Sequence, residues 1–285
     1  MFLLIGYVVV LLASVGTYAV HGSLAALFVP MEYLAIIGLT IGGFIAGNGG
    51  KAIKATMAAL PSVLKPSPFS KTLYMELLAM LYEILGKVRK EGLMSIENDI
   101  ENPDSSPIFS KYPAVTRDHH VMEFITDYLR MMVGGNLNAF EIENLMDLEI
   151  ETHHHEAHVP AHVMSKVADS TPAYGIIVAV MGVVNVMGSV GEPPAVLGKM
   201  IGGALVGTFL GILVAYGFVS PIAGQLEQKA EEGGKIYQCI KAVLLASMNG
   251  YAPQVAVEFG RKVLYSTERP GFLELEEDLK ARKGK

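Results

Sequence analysis

Four long stretches of the chain contain no Asp, Glu, Lys or Arg, and each is close to the length needed to cross a membrane. They cover residues 1–20, 33–50, 170–191 and 200–222. An α-helix needs about 20 apolar residues to span a hydrocarbon core about 30 Å thick. Because lipid offers no hydrogen-bond partners, backbone amides must be satisfied within each segment, which favours helices over strands. The sequence therefore predicts an all-α, polytopic membrane protein with four transmembrane helices and a helical cytoplasmic domain.

The composition supports this prediction and narrows the possible functions. Charged residues make up only 18% of the chain and apolar residues 51%, whereas soluble domains are about one quarter charged. The first stretch lacks the basic start of a secretory signal, so we interpret it as an uncleaved span. A single cysteine, Cys239, excludes an intramolecular disulfide framework and a cysteine-rich metal site. The net charge of −6 argues against nucleic acid as a partner.

The distribution of basic residues predicts the orientation. Residues 51–170 carry eleven of the 22 Lys and Arg residues, and residues 227–285 carry ten. Basic residues near spans stay on the cytoplasmic side, so we expect both termini to be cytoplasmic. The predicted order is transmembrane helix 1 (1–20), a short periplasmic loop (21–32), helix 2 (33–50), a large helical cytoplasmic loop (51–169), helix 3 (170–191), a second short periplasmic loop (192–199), helix 4 (200–222) and a cytoplasmic helical tail (223–285).

Apolar periodicity and capping residues predict helices in both cytoplasmic segments. Ser70 is a candidate N-cap for a helix that ends near Gly92, and a second helix over 117–133 is stopped by Gly134 and Gly135. Asn138 is expected to cap a third. Residues 222–249 are typical of a helix, and two shorter helices are expected after it.

Small residues recur at every fourth position in two of the spans. Gly38, Gly42, Ala46 and Gly50 follow this spacing in span two, and Gly203, Gly207, Gly211 and Ala215 follow it in span four. Such faces let helix backbones approach closely in lipid. The pattern is compatible both with packing among the helices of one chain and with packing between subunits.

No ionisable side chain lies within the four stretches, although proton and ion pathways normally place one at membrane depth. If ions move here, a partner must supply the carboxylate. Pro172 is expected to open span three and Pro221 to close span four. These prolines are either helix punctuation or bending points next to the cytoplasmic mass.

Five clustered histidines raise the question of a metal site. They are His153, His154, His155, His158 and His162. Their spacing around Glu156 does not match a zinc-protease motif, so we expect solvated histidines, no bound metal and no cofactor. No nucleophile, phosphate-loop or nucleotide motif is present, and an enzyme is therefore not expected. The charged run around Lys87–Glu101 is typical of a solvated surface on composition alone.

Several collinear motifs resemble the MotA family of flagellar motor stator proteins along the whole chain. They are residues 46–54 (AGNGGKAIK), 99–103 (DIENP), 171–175 (TPAYG), 206–213 (VGTFLGIL), 215–218 (AYGF), 220–221 (SP), 249–253 (NGYAP) and 257–262 (VEFGRK). The resemblance implies a homo-oligomer, a ring of five subunits in the bacterial inner membrane, around two copies of a MotB-like partner. The membrane aspartate of that partner would carry the ion, and the ring would push on the rotor protein FliG.

The same resemblance implies roles for particular residues. Arg89 and Glu97 match the rotor-facing charge pair, and Glu149 matches a lesser contributor. Pro172 and Pro221 match prolines that couple ion binding to cytoplasmic movement. The ion route would be lined by Thr208 and Tyr216, with Ala173 and Ala179 beside it.

The transported ion is expected to be a proton. Sodium-type relatives carry a threonine where Ala179 stands, and a methyl group cannot ligate sodium. A sodium-driven stator remains the first alternative. The second is an energy transducer of the ExbB or TolQ kind, against which the first two closely spaced spans argue. A passive membrane scaffold is the third, and membrane lipid is expected around all four spans.

Overall fold

A computed structural model describes residues 2–283, and the regular structure in that range is helical. Its α-helices, in chain order, are α1 (Phe2–Leu11), α2 (Thr17–His21), α3 (Leu24–Leu27), α4 (Pro30–Ala46), α5 (Gly50–Ala59), α6 (Lys71–Glu91), α7 (Glu97–Glu101), α8 (Pro113–Thr116), α9 (His119–Gly134), α10 (Ala139–Met187), α11 (Pro194–Val214), α12 (Ser220–Met248), α13 (Pro253–Val263) and α14 (Phe272–Lys283). Short 3₁₀ segments and two π-helical turns, Leu12–Gly16 and Ala215–Val219, connect some of them.

Four helical stretches are long and apolar enough to cross a membrane: Phe2–His21, Leu24–Ala46, Ala139–Met187 and Pro194–Met248. Their large apolar side chains are mostly uncovered, as expected for surfaces that face lipid or other subunits. The predicted fold class, all-α with four spans and helical cytoplasmic segments, is confirmed.

The chain divides into two compact units. The first contains the chain up to Pro66 together with Ala157–Gln228, and it therefore holds the apolar spans. The second contains Ser67–Glu156 and the chain from Lys229 onward. Its core is a single cluster to which α6, α9, α10, α12 and α13 contribute buried side chains, among them Leu77, Leu81, Phe124, Ile142 and Ile240.

The predicted cytoplasmic helix ends are confirmed by their hydrogen bonds. Ser70 Oγ accepts from the Leu73 amide at 3.3 Å at the start of α6. Asn138 and Glu141 form a reciprocal capping box at the start of α10, with bonds of 2.9 and 3.0 Å. Gly135 follows α9 with φ +64°, a left-handed conformation that glycine adopts without strain.

The predicted end of span two is wrong. Helix α4 stops at Ala46, and Gly50 begins the separate helix α5, so Gly50 does not extend the small-residue face of that span. The cause is the Gly47–Gly50 run, in which three glycines surround Asn48 and weaken the helix. Asn48 Nδ2 donates to the Phe44 carbonyl at 2.7 Å, satisfying one of the terminal carbonyls.

The expectation that Pro172 opens a helix is also wrong. Pro172 lies inside α10, which runs unbroken from Ala139 to Met187 and also contains Pro160. Pro172 removes the amide donor that the Ala168 carbonyl would otherwise receive, and a span helix tolerates this loss in its interior. Thr171, fully buried beside it, donates from Oγ1 to the Val167 carbonyl at 2.6 Å. At its other end, α10 stops at Met187, whereas span three was expected to extend to residue 191.

Pro221 does not close span four as expected. It is the second residue of α12, which follows directly on the π-helical turn Ala215–Val219. Since the helix continues from Pro194 to Met248, Pro221 lies in its interior, where a proline leaves one carbonyl without its usual donor. The π-turn, which carries one extra residue per turn, resets the helix before Pro221 and lets it continue to Met248.

The two small-residue faces differ in what covers them. Gly207 and Gly211 on α11 meet α10, where a Cβ built on Gly211 would lie 2.8 Å from the Gly175 Cα. Gly203 has only distant neighbours, Val29 and Glu32, at 3.7 and 3.9 Å. Among residues 2–283, nothing lies within 4 Å of a Cβ built on Gly38 or Gly42. The face of span four therefore packs within the chain, whereas that of span two is left open.

We predict that Gly211→Ala destabilises the packing of α10 on α11. The added methyl group meets backbone rather than a flexible side chain, so the helices must separate, at a cost of about 1–3 kcal/mol. Gly202→Ala, on the same helix with no atom within 4 Å, is the matched control. SDS titration of the purified chain measures both, and equal unfolding midpoints for the two variants would contradict the packing described here.

Candidate functional site

The face of α11 that is expected to line the ion route is uncovered in this chain. Ile201, Leu205 and Ile212 on this helix are exposed, and Tyr216 in the following π-turn is 58% exposed. Thr208 is half-buried on the same helix, two turns before Tyr216. This is an apolar surface with two hydroxyl groups, a chemistry suited to packing against another helix in lipid.

Ala179 is positioned differently from Thr208 and Tyr216. It is buried, and its amide nitrogen lies 3.4 Å from a Cβ built on Gly207. Its methyl group thus belongs to the contact between α10 and α11, whereas its neighbours Ala173, Ile176 and Ile177 on α10 are exposed. Ala179 is therefore a packing residue between α10 and α11 in this structure.

Span one contacts the π-turn that precedes Pro221. Tyr7 Oη donates to the Phe218 carbonyl at 2.8 Å, and the two rings lie 4.9 Å apart. A Cβ built on Gly217 would lie 2.9 Å from Val10. A π-turn displaces backbone carbonyls from the regular ladder, and Tyr7 supplies a donor for one of them. Tyr7 was not among the predicted site residues, and its only signal in the sequence is that it is one of four hydroxyl side chains in residues 1–20.

Tyr174 was missed in the same way. Its hydroxyl end occupies the space where a side chain on Gly43 would begin, so α4 and α10 meet at this glycine. Gly43 is the residue next to the predicted Gly42, and the repeat of small residues every fourth position did not include it. The glycine that matters within the chain is therefore one position away from the predicted face.

In the second unit, the predicted rotor-facing pair lies on both sides of a tight turn. Arg89 is in the last turn of α6 and Glu97 is the first residue of α7, and both are exposed. Gly92 between them has φ +87°, a value that only glycine adopts readily. Neither side chain forms an ion pair with another of the residues that the structure describes. Both charges are thus available to a partner.

A buried carboxylate holds this turn in place. Asp99, only 2% exposed, accepts from Lys87 Nζ at 2.8 Å and from Ser106 Oγ at 2.6 Å. Ser106 Oγ also accepts the amides of Ile108 and Phe109, each at 3.2 Å. The charged run is therefore not simply a solvated surface, as composition alone suggested. Asp99 ties α7 to α6 and so fixes the separation of Arg89 and Glu97.

Glu149, the third predicted contact residue, has an internal partner. It is exposed on α10, and its Oε2 accepts from Tyr128 Oη at 2.7 Å. Burial, followed by the bond to Glu149, raises the pKa of the Tyr128 hydroxyl. Glu149 therefore joins α10 to the core side chain of α9, and its contribution to any outside contact is shared with this bond.

We expected the clustered histidines to be solvated. In the structure, not all of them are. His155 is exposed, but the His153 ring packs against Tyr237 with centroids 4.4 Å apart and the ring planes inclined at 50°. Burial, with a smaller effect from His120, lowers the pKa of His153. His154 Nε2 lies 3.3 Å from Glu231 Oε1. Cys239 is fully buried, which raises the pKa of its thiol.

We predict that Lys87→Met destabilises the second unit by about 3 kcal/mol, the low end for leaving a buried carboxylate unpaired. Adding Asp99→Asn should recover part of that loss, because the uncompensated charge is then removed. Lys90→Met, at an exposed neighbouring position, should change little. Hydrogen–deuterium exchange of residues 97–106 in the purified full chain measures the effect, and equal protection in all three variants would contradict the role of Asp99.

We predict that His153 makes stability depend on pH. Its folded-state pKa lies below the value of about 6.5 for an unfolded histidine, so the unfolded chain binds the proton first. The stability from neutral His153 is present above about pH 6.5 and is lost as pH falls through the folded-state pKa. His153→Phe, which keeps an aromatic ring against Tyr237, should therefore show a smaller loss of Tm on acidification than wild type. The exposed His155→Gln should follow wild type.

Two family models match the chain. The model for the motility protein A N-terminal region matches residues 4–92, and the model for the MotA/TolQ/ExbB proton channel family matches residues 117–238. Motility protein A of Escherichia coli (strain K12) is 54% identical over 99% of this chain and 96% of its own length. Chemotaxis protein LafT of Vibrio parahaemolyticus is 32% identical over 98% of this chain and 99% of its own.

A solved structure of the same kind supports the fold. The flagellar MotAB stator complex from Bacillus subtilis contains a chain that matches with a TM-score of 0.72 and 27% identity, covering 98% of both chains. The resemblance seen in the sequence motifs is thus confirmed over almost the whole length. This chain belongs to the motility protein A family, within the MotA/TolQ/ExbB proton channel family.

Proposed function

We propose that this multi-pass protein of the inner membrane is a flagellar stator subunit, which couples proton flow to torque on the rotor. The observation that carries the proposal is a division of labour along the chain. The spans provide an uncovered apolar face with hydroxyl groups but no ionisable side chain, and the second unit provides two unpaired charges on a rigid turn. Its relatives are named as motility proteins, which agrees with this division.

The missing carboxylate supports a MotB-like partner. Hydroxyl groups do not bind a proton near neutral pH, so they cannot carry it across the membrane alone. The four charge-free stretches contain no carboxylate and no histidine. The open face formed by Ile201, Leu205, Ile212 and Tyr216 is where a partner helix would pack. Thr208 and Tyr216 would then lie next to the aspartate of that helix and could share water with it.

A closed ring of identical subunits accounts for the other open surface. Gly38 and Gly42 have no neighbour within 4 Å in this chain, and such faces drive helix association in lipid. We propose that a neighbouring copy packs there in a pentamer, around two copies of the partner. Both termini would lie in the cytoplasm, because the basic residues concentrate in the cytoplasmic segments.

The proton is favoured over sodium by the chemistry of the route. Sodium needs several oxygen ligands, but Ala179 offers a methyl group that is packed against α11. A proton needs only the carboxylate of the partner and a path of water or hydroxyl groups. Swimming that is independent of external sodium and is stopped by a protonophore would support this assignment. A requirement for sodium would overturn it.

Contact with the rotor protein FliG is proposed for Arg89 and Glu97. Exposed charge pairs contribute about 0–1 kcal/mol each, which suits contacts that form and break at every step. The buried Asp99 fixes the turn that carries both charges, so the weak contacts are presented in a constant geometry. Glu149 would contribute less, since Tyr128 already occupies one of its oxygens.

We predict that a strain without this chain builds flagella that do not turn. Wild-type chain should restore swimming in soft agar, whereas Arg89→Ala/Glu97→Ala should restore it poorly because the rotor contact is weakened. Arg117→Ala/Glu123→Ala removes the same two charges from exposed positions elsewhere in the second unit and should restore it fully. Both double variants must reach wild-type levels in the membrane.

Two results would contradict this function. Equal swimming for both double variants would remove the rotor contact, even if the strain without the chain were paralysed. Normal motility without the chain, combined with a defect in uptake across the outer membrane, would favour an energy transducer of the ExbB or TolQ kind.

A further inference from the structure

A cavity of about 890 Å³ lies in the second unit beside Arg89. Its walls come from the C-terminal half of α6, the segment before α8, the start of α13 and the end of α14. Gly86, Lys90, Pro253 and Arg282 are among the residues that line it. Binding sites for small molecules are concave and have volumes of about 300–1,000 Å³, so this cavity is large enough for a ligand of substantial size.

The lining is positively charged in a chain whose net charge is −6. Its ionisable side chains are two carboxylates, Glu83 and Glu91, and five cations, namely Lys87, Arg89, Lys90, Lys111 and Arg282. Three of the cations are held by carboxylates: Lys87 by Asp99, Lys111 by Glu83 and Arg282 by Asp278. Arg89 and Lys90 form no ion pair within residues 2–283. The lining carboxylate Glu91 is likewise in no ion pair among these residues, so one net positive charge remains, for which an anion is the complementary ligand.

The start of α13 adds to this preference. Ala252, Pro253 and Gln254 line the cavity, and the first turn of this 11-residue helix contains no acidic residue. The positive end of the helix dipole therefore faces the cavity without a carboxylate to neutralise it. Arg89 and Lys90 occupy the last turn of α6, where their charges offset the negative end of that helix dipole.

The remaining walls are apolar or aromatic. Ile108 and Leu279 are buried at the cavity lining, and the Arg282 guanidinium lies 5.5 Å from the centre of the Tyr112 ring. Tyr112 itself is buried, so the guanidinium plane of Arg282, which this ring supports, is the surface on which a flat ring can stack. The cavity thus combines a platform for a ring with unpaired cations for an anionic group.

We propose that this cavity binds a phosphorylated small molecule with a planar ring, the chemistry of a nucleotide. The anionic group would contact Arg89 and Lys90, and the ring would lie towards Tyr112 and Arg282. An acidic protein surface could also meet the two exposed cations, but the cavity beside them, about 890 Å³, has the size of a small-molecule site. If Arg89 contacts the rotor as proposed above, an occupied cavity would withdraw its charge from the rotor, and the ligand would lower torque.

The test is calorimetry with the full chain, purified with its partner in lipid nanodiscs, titrated with ATP, AMP and pyrophosphate. We expect ATP to bind with a Kd below about 1 mM and more tightly than pyrophosphate. Lys90→Ala should weaken binding about tenfold, a typical effect of one charge-assisted contact. Lys262→Ala, an exposed lysine at the end of α13 outside the lining, is the charge-matched control.

Gly86→Leu separates the cavity from the charged surface around it. No atom lies within 4 Å of a Cβ built on Gly86, so a leucine can project into the cavity without a clash. The change also favours the helical conformation of α6. We expect it to abolish ATP binding, although it removes no charge, and hydrogen–deuterium exchange should confirm that α6 is intact.

Several results would overturn the proposal. Absence of binding by all three probes at about 1 mM, or equal binding in wild type, Lys90→Ala and Gly86→Leu, would exclude the cavity as the site. Pyrophosphate binding as tight as that of ATP would remove the ring from the proposal. Binding of an acidic peptide that is sensitive to Lys90→Ala but not to Gly86→Leu would indicate an open protein-docking surface. Calorimetry does not depend on motility, so each result can be separated from a failure of the stator function.

Discussion

The close approach of α10 and α11 is the contact on which the membrane part of this chain depends. Lipid supplies no hydrophobic force between helices, so they associate through direct backbone packing. Gly175 and Gly211 allow that packing, since a Cβ on either would come within 3 Å of the backbone of the other. One face of each helix is buried in this contact. The remaining faces, which carry Thr208, Tyr216 and the exposed side of α10, are left for other chains.

In the second unit, rigidity is supplied by buried polar bonds rather than by the exposed charges themselves. Asp99, Lys87 and Ser106 join α6, α7 and the following segment. Leaving a buried charge unpaired is costly, so these side chains are held firmly in this arrangement. It separates two tasks within one short run of charges, because the inner residues set the geometry and the outer ones, Arg89 and Glu97, stay unpaired.

Much of the architecture could be predicted because charge-free segments and helix caps are local features of the sequence. Ser70 and Asn138 capped the helices as expected. The errors arose where the structure depends on contacts between helices or on the conformation of the backbone. The spacing of small residues that includes Gly50 continues past the end of α4 at Ala46. Pro172 does not begin a helix, and Pro221 does not end one. The burial of Asp99 and the contact of Tyr174 with Gly43 depend on how helices cross, which periodicity does not encode. The rotor, ion and partner roles of the predicted residues stay predictions.

The π-turn at Ala215–Val219 stores one surplus residue in the helix that joins a membrane span to α12. Successive residues of an α-helix are separated by about 100° of rotation. If the surplus residue passed along the helix by one position, the residue it crossed would turn by about that angle while both ends of the helix stayed fixed. Tyr7 holds the turn in its present register through the Phe218 carbonyl. The helix thereby has a way to reorient individual side chains, Tyr216 among them, without bending or lengthening.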